Sequence, residues 1–197
     1  MNLVKKISVL AIGLCLGLSL QAQVDLQSLP KREFRAAWLT TVWAIDWPKP
    51  NNAVNATQQQ QQQESLLAFV DKMAAANMNA VFFQVRGFSD AMYNSKYEPW
   101  SQYLTGTRGK APNYDPLALL IDYAHFKGIG VHAWINPYRY ASSDATYGRN
   151  HEKDYHNTHP EWLVQCGDIT ALNPSLPEVR EQICKVVADI VENYDVD

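Results

Sequence analysis

Three groups of residues in this chain are of the types that recognise or transform polar organic molecules. One is the run His132-Ala133-Trp134-Ile135-Asn136-Pro137-Tyr138-Arg139, where an apolar stretch that begins at Gly128 gives way to ring, amide and guanidinium groups. Another is Gln84 and Arg86, with Asp90 four residues further on. The third is Trp43 and Asp46, which follow the first apolar run of the folded part. Rings offer stacking faces, amides offer paired donors and acceptors, and arginine offers a rigid donor fork. Arginine stays protonated, so Arg86 and Arg139 suit clamping an anion and not shuttling a proton. Proton transfer or nucleophilic attack would fall to the carboxylates at hand, Asp46 and Asp90. Asp90 is the candidate for a catalytic partner or for binding a hydroxyl. Asp46 reads as a loop-stabilising or ligand-binding acid. Glu98, before Pro99, reads as a turn residue.

Such groups cooperate only if the backbone brings them to one place. In Asn79–Arg86 a strand alternation puts Val81, Phe83 and Val85 on one face and Phe82, Gln84 and Arg86 on the other. Counting the same way from Val131 puts His132, Trp134 and Asn136 opposite Val131, Ala133 and Ile135. Burying Gln84 and Arg86 without partners costs several kcal/mol, roughly, with the charge the dearer group. Both are therefore expected at the open C-terminal edge of an inner face, either toward a ligand or in a network linking strands. Trp134 and Tyr138 are candidates for stacking on a ligand, with a packed sheet top as the alternative for Trp134.

The elements between these runs have helical or turn character. Glu33–Val42 reads as a first strand. Thr57 with Gln60 forms a capping box ahead of an apolar stripe at Leu66, Phe69, Val70 and Met73, which Asn77 or Asn79 ends. Asp115 followed by Pro116 starts another helix, with Leu117, Leu120, Ile121 and Ala124 as its buried face and Gly128 past its end. A third helix, opened by a capping box at Ser175–Glu178, buries Val179, Ile183, Val186, Val187 and Ile190. Tyr194–Asp197 reads as the approach to a fourth strand, and the reading frame is expected to be truncated there. Gly87–Pro112 and the stretch from Arg139 to about Ala171 are long connections without periodicity, and His159–Trp162 is expected to make a local turn or short helix. Long loops after strands are frequent binding elements.

Strand-helix alternation with long crossovers implies an α/β fold with parallel strands. No glycine-rich phosphate loop follows the first strand, which argues against a dinucleotide fold. Long loops after strands and short ones before them favour an incomplete (β/α)8 TIM barrel of about three units, with its site at the C-terminal strand ends. Trp43, Asp46, Gln84, Arg86, Asp90, Trp134, Asn136, Tyr138 and Arg139 are then expected on one rim.

The first residues are of a different kind. Lys5 and Lys6 precede the apolar stretch Ile7–Leu20, too short for a convincing membrane anchor, and cleavage after Ala22 defines residues 1–22 as a signal peptide. Leu14 before Cys15 is the wrong size for a lipoprotein signal. The domain is expected over residues 30–197, in the periplasm or outside the cell, with no stable membrane insertion after cleavage. Loss of Lys5 and Lys6 takes the net charge from −3 to −5, so the chain lacks the electrostatic footprint of a nucleic-acid partner. Cys166 and Cys184 then remain, without a disulfide spacing pattern. The histidines form no ligand motif with acids or cysteines, so no metal site and no cofactor is expected.

Phe34–Thr41, Asn79–Arg86, Asp90-Ala91-Met92-Tyr93, Tyr114–Leu117, His132–Arg139, Glu178-Val179-Arg180 and Tyr194–Asp197 together resemble the glycosyl-hydrolase-like family 10, the DUF187 proteins. Gly87-Phe88-Ser89 departs from the proline-rich form of that loop in the family. The resemblance implies an exported bacterial barrel protein that hydrolyses glycans, with peptidoglycan strands freed of stem peptides as one substrate. It also implies an acidic strand end after Asp197 as the main catalytic region. Glycoside hydrolysis needs two carboxyl groups, and the rim candidates here supply Asp46 and Asp90 alone. The polysaccharide or oligosaccharide partner is thus expected either to be cleaved by the whole protein or to be held by a non-catalytic glycan-binding barrel. A barrel enzyme acting on some other polar substrate is a further alternative.

Overall fold

The computed structural model describes residues 33–142 and 151–197, so the expected leader, its cleavage point and Cys15 lie outside the described residues. Phe34–Asp197 forms one compact unit. Three parallel strands, β1 (Ala36–Leu39), β2 (Ala80–Arg86) and β3 (Gly130–Ile135), make a sheet in the order β1-β2-β3. The crossovers carry α1 (Ala56–Ala75), a single turn α2 (Gln102–Thr105) and α3 (Pro116–Phe126). After β3 come β4 (Arg139–Ser142), the turn α4 (Tyr155–Thr158), β5 (Leu163–Cys166), β6 (Ile169–Leu172) and α5 (Pro177–Asn193). The sheet with its flanking helices is an incomplete, unclosed barrel-like arrangement. No helix among the described residues is long and apolar enough to cross a membrane.

The registers Phe82 to His132 and Gln84 to Trp134 place those side chains on a common face, as the alternation requires. On the other face Leu39, Val81, Phe83, Val85 and Val131 are buried against Leu66, Val70 and Met73 of α1 and Leu117, Leu120 and Ala124 of α3. Each such aliphatic or aromatic side chain contributes about 1.5–3 kcal/mol on burial. The inner face is aromatic. Trp38 stacks on Phe82 at 4.6 Å, Phe82 stacks on His132 at 5.0 Å, and Trp38 meets Trp134 edge-on at 4.8 Å. Phe34 adds an edge contact to Phe82.

Several boundaries differ from the sequence expectation, each for an identifiable reason. β1 is four residues long and not ten because side chains take over its next N–H groups. Asp46 Oδ2 accepts from Thr40 N at 2.9 Å, and Gln84 Oε1 accepts from Thr41 N and Val42 N at 2.9 Å. The cap of α1 is Asn55, not Thr57: Asn55 Oδ1 accepts from Gln58 N, and Gln58 Oε1 accepts from Val54 N. Asn77, at φ +54, does follow the helix end. The glutamines of α1 are partly interior. Gln62 is fully buried and donates to the Pro50 and Leu104 carbonyls while its Oε1 accepts from Tyr114 Oη.

Asp115 caps α3 as expected, accepting from Leu117 N and Ala118 N ahead of Pro116. α5 has no side-chain cap, since Ser175 Oγ turns instead to Asn173 Oδ1 at 2.7 Å. The stretch from Arg139 to Ala171 is not one irregular loop. Of its described residues, Arg139–Ser142, Leu163–Cys166 and Ile169–Leu172 form a small antiparallel sheet of order β4-β6-β5, and Pro160–Trp162 makes the expected short turn. Tyr194–Asp197 lies along β3, where Asp197 N donates to the Val131 carbonyl and Asp197 Oδ2 accepts from Val131 N. Cys166 and Cys184 are free and exposed.

Candidate functional site at the carboxyl ends of the strands

Gln84 and Arg86 do lie at the same end of the sheet as Asn136 and Arg139, but neither meets solvent. Both are fully buried. The Gln84 amide oxygen closes the turn after β1 through Thr41 and Val42. The Arg86 guanidinium donates to Glu98 through Nε at 2.7 Å and Nη2 at 2.5 Å, a bidentate pair. It also donates to Ser89 Oγ at 2.8 Å and to the carbonyls of Asn136 and Pro137. Burial opposes the Arg86 charge, but Glu98 beside it outweighs burial and raises the guanidinium above its ordinary pKa. Of the two expected roles, contact with a ligand or a network linking strands, the geometry of these two side chains is that of the network. They hold the loops after β1, β2 and β3 to one another.

A second buried ion pair sits beside the first. Arg108 donates from Nε to Asp154 Oδ1 at 2.6 Å and from Nη2 to the Ser89 carbonyl, and its Nη1 lies 3.7 Å from Asp90 Oδ2. Asp90 is 2% exposed and accepts from Phe88 N at 2.8 Å. As a ligand-facing acid Asp90 is therefore corrected: its carboxylate braces the loop after β2. Glu98 is no mere turn residue, because it neutralises Arg86 and accepts from Tyr155 Oη at 3.1 Å. Asp46 is exposed and spends one oxygen on Thr40 N, as its loop-stabilising reading requires. Of Asp46, Asp90, Glu98 and Asp154, the last three face arginines from within the protein and Asp46 secures a turn.

What the rim does present is a ring and a charge on a common support. Trp43 follows β1, is 56% exposed, and holds a left-handed backbone at φ +53 and ψ +17. Phe88 follows β2 and is buried. Arg139 follows β3. Trp43 meets Phe88 edge-on at 5.6 Å, and the Arg139 guanidinium lies 5.6 Å from the centre of the same Phe88 ring. A tryptophan at positive φ costs on the order of 1–3 kcal/mol, strain of the kind that persists where surrounding structure over-determines it. Tyr103 packs against this cluster, and burial, followed by the charge of Asp90, pushes its phenol up to about 12. Asn136 is half-buried and bridges strands, accepting from Trp134 Nε1 at 3.1 Å and donating to the Gly87 carbonyl at 3.3 Å. Tyr138 packs beside the Phe88 cluster.

Phe88, Tyr103, Arg108 and Asp154 were not among the site residues expected from the sequence, and Glu98 was expected only as a turn residue. For Phe88 a signal was there in its place two residues after Arg86, at a strand end. For Arg108 and Asp154, 46 residues apart and without a local motif, there was none. The arrangement can hold a polar ring against Trp43 with Arg139 nearby. An open pair of carboxylates for proton transfer is not assembled from Asp46, Asp90, Glu98 and Asp154.

A family model described as Glycosyl hydrolase-like 10 matches residues 33–197. Over 166 residues the chain is 40% identical to the glycosyl hydrolase YngK of Bacillus subtilis, covering 84% of this chain and 32% of that protein. It is 36% identical over 176 residues to the glycosyl hydrolase DigH of Escherichia coli K12, covering 83% and 40%. The chain thus spans two-fifths or less of the length of these relatives. Among solved structures, a maltogenic alpha-amylase, AmyB, from Thermotoga neapolitana overlays on 82% of this chain and 36% of its own, with a TM-score of 0.48 and 15% identity.

Proposed function

The chain belongs to the glycosyl hydrolase-like 10 family, and from that premise we propose that it is the glycan-holding part of a glycoside hydrolase built on a (β/α)8 barrel. The substrate is a bacterial or environmental glycan, with peptidoglycan strands freed of stem peptides as one form. The observation that carries the reading is the convergence of Trp43, Phe88 and Arg139, one from each successive strand end, into a ring-and-guanidinium platform. A ring supplies a flat apolar face for the C–H side of a sugar, and arginine supplies donors for its oxygens.

The buried acids of this end support assigning the catalytic carboxyl pair to the part of the relatives' length that this chain does not span. The domain runs from residue 30, and residues 1–22 direct the protein to the periplasm or outside the cell. Titrating the chain with a soluble oligosaccharide and following tryptophan fluorescence tests the platform. Trp43→Ala is expected to weaken binding about tenfold, the equivalent of about 1.4 kcal/mol. Unchanged affinity in that variant would remove the platform from the account. The chain alone is expected to release no reducing ends. The second reading, a non-catalytic glycan-binding barrel, is favoured by the engagement of Asp90, Glu98 and Asp154 with arginines. It predicts that the full-length protein binds the oligosaccharide and releases no reducing ends either.

A further inference from the structure

Away from the Trp43 platform, a cavity of about 370 Å³ lies between β3 and α5, and one of about 270 Å³ lies beside β1 and α1. The first is walled mainly by apolar side chains, among them Val187, Ile190, Val191 and Val196; of its polar groups, His132 and Asp197, the carboxylate is already engaged by Val131 N and His125. A third cavity, of about 230 Å³, differs in kind. It opens between the loop after β2, the segment leading into α4, and the first turns of α5. Its walls combine the rings of Tyr97, Tyr155 and Trp162 with the ammonium groups of Lys96 and Lys153 and the amide of Gln182.

Each of these groups is set in place by the fold. Trp162 carries His159 stacked on it at 3.8 Å, with the two rings 6° from parallel. Tyr155 Oη accepts from Gln182 Nε2 at 3.2 Å and donates to Glu98, so the cavity floor is tied to the buried pair that bonds the end of β3. Lys96 is 61% exposed at its side chain and is backed by Asp189 at 3.5 Å, whose other oxygen accepts from Lys96 N. Lys153 Nζ donates to the Lys96 carbonyl at 3.4 Å, which brings the second ammonium to the same mouth. Among the described residues the lining has no carboxylate: its ionisable side chains are two lysines, His159 and tyrosine phenols. The histidine is held by Glu161 from outside the cavity at 3.2 Å.

We infer that this cavity is a second saccharide site, separate from the Trp43 platform, which takes a sugar bearing a carboxylate. The inference rests on the reading of the protein as glycan-binding and adds a second contact along the chain of sugars. Tyr97 and Trp162 give the apolar walls that a pyranose ring requires, the Gln182 amide gives a neutral polar partner, and Lys153 with Lys96 selects the charge. Neutral sugars lose the ammonium contacts and bind the same walls weakly.

The test uses the ¹⁵N-labelled chain and its indole N–H resonances, assigned by single Trp→Phe variants. Methyl β-D-glucuronide and methyl β-D-glucoside are the probes, since they differ by the carboxylate alone, and sodium acetate is the control for carboxylate without a ring. The glucuronide is expected to move the Trp162 signal saturably, with the glucoside about tenfold weaker and acetate weaker still. Lys153→Gln is expected to lower glucuronide affinity about fivefold and leave the glucoside response unchanged. Trp43→Ala is expected to leave the Trp162 response intact, which separates this site from the platform. A Trp162 signal unmoved by the glucuronide overturns the inference, and if Trp43 still responds the proposed function survives that failure. Equal responses to glucuronide and glucoside, or to glucuronide and acetate, overturn it as well.

Discussion

Replacing Glu98 with glutamine removes one charge from a place where water cannot replace it. The Arg86 side chain is 0% exposed and that of Glu98 is 1% exposed. The bidentate contact puts Nε and Nη2 within 2.7 Å and 2.5 Å of the two carboxylate oxygens. A glutamine in the same rotamer would set an NH2 group against one of the guanidinium donors, so one bond is lost and one donor pair repelled. Breaking a buried pair by removing one partner costs about 3–5 kcal/mol, against about 5–15 kcal/mol for the stability of a typical domain. With a urea slope of about 2 kcal/mol/M, the unfolding midpoint falls by about 1.5–2.5 M. The double variant Arg86→Met, Glu98→Leu leaves no uncompensated charge and gives up, besides the pair itself, the bonds to the Asn136 and Pro137 carbonyls, to Ser89 Oγ and from Tyr155 Oη. It is expected to be more stable than Glu98→Gln, with a coupling between the two sites of at least about 2 kcal/mol. Urea unfolding of wild type, Arg86→Met, Glu98→Leu and the double variant closes the cycle, with Glu98→Gln measured beside it. A loss below about 1 kcal/mol for Glu98→Gln, or additive single losses, would refute the assignment of this pair as the clasp between loops.

Other outcomes follow from the same geometry. Trp43→Gly relieves a left-handed tryptophan and is expected to leave urea stability equal or higher by about 1 kcal/mol while oligosaccharide affinity falls, a separation of stability from binding that fluorescence titration and unfolding read together. Asn55→Ala removes the acceptor for Gln58 N and is expected to cost about 1 kcal/mol in thermal unfolding. Gly109→Ala places a methyl 1.9 Å from the His151 ring at a backbone φ of +82, so the variant is expected to unfold at lower urea than wild type. Tyr93, Tyr103, Tyr114, Tyr155 and Tyr194 are each raised chiefly by burial, Tyr103 to about 12. Their folded values exceed the ordinary value of about 10, so the stability they contribute is full below pH ~10 and is lost as pH rises through the folded values. Phenolate absorbance is expected to rise in a step that coincides with unfolding; smooth titration of all tyrosines near pH 10 would contradict it.

What sequence reasoning could reach was decided by the range of the interactions involved. The faces of β2 and β3 follow from a period of two within seven and six residues, and the registers Phe82 to His132 and Gln84 to Trp134 agree with it. The Asp115–Pro116 start of α3 is equally local. The connection from Gly87 to Pro112 showed no periodicity because its interior side chains, Phe88, Ala91, Met92, Tyr93 and Leu104, are irregularly spaced. Arg86 with Glu98 and Arg108 with Asp154 add to its order, and a single acid before a proline looks the same whether it caps a turn or neutralises a buried arginine. The burial of Gln84 and Arg86 was foreseeable as a cost, and the partners that meet that cost lie on other elements. The same is true of the small β4-β6-β5 sheet, whose four-residue strands carry too few alternations to register.

The six glutamines at the start of α1 carry a consequence for how this gene can drift. Counted back from Leu66, the two interior amides are those of Gln62 and Gln59, four and seven positions away. Codon slippage that lengthened the tract by one, or shortened it by one, would still leave glutamine at both places. Everything upstream would instead rotate by about 100° about the helix axis and move by about 1.5 Å along it. Length polymorphism here would therefore spare the interior and be felt at Asn55 and Val54, where the cap would have to be rebuilt.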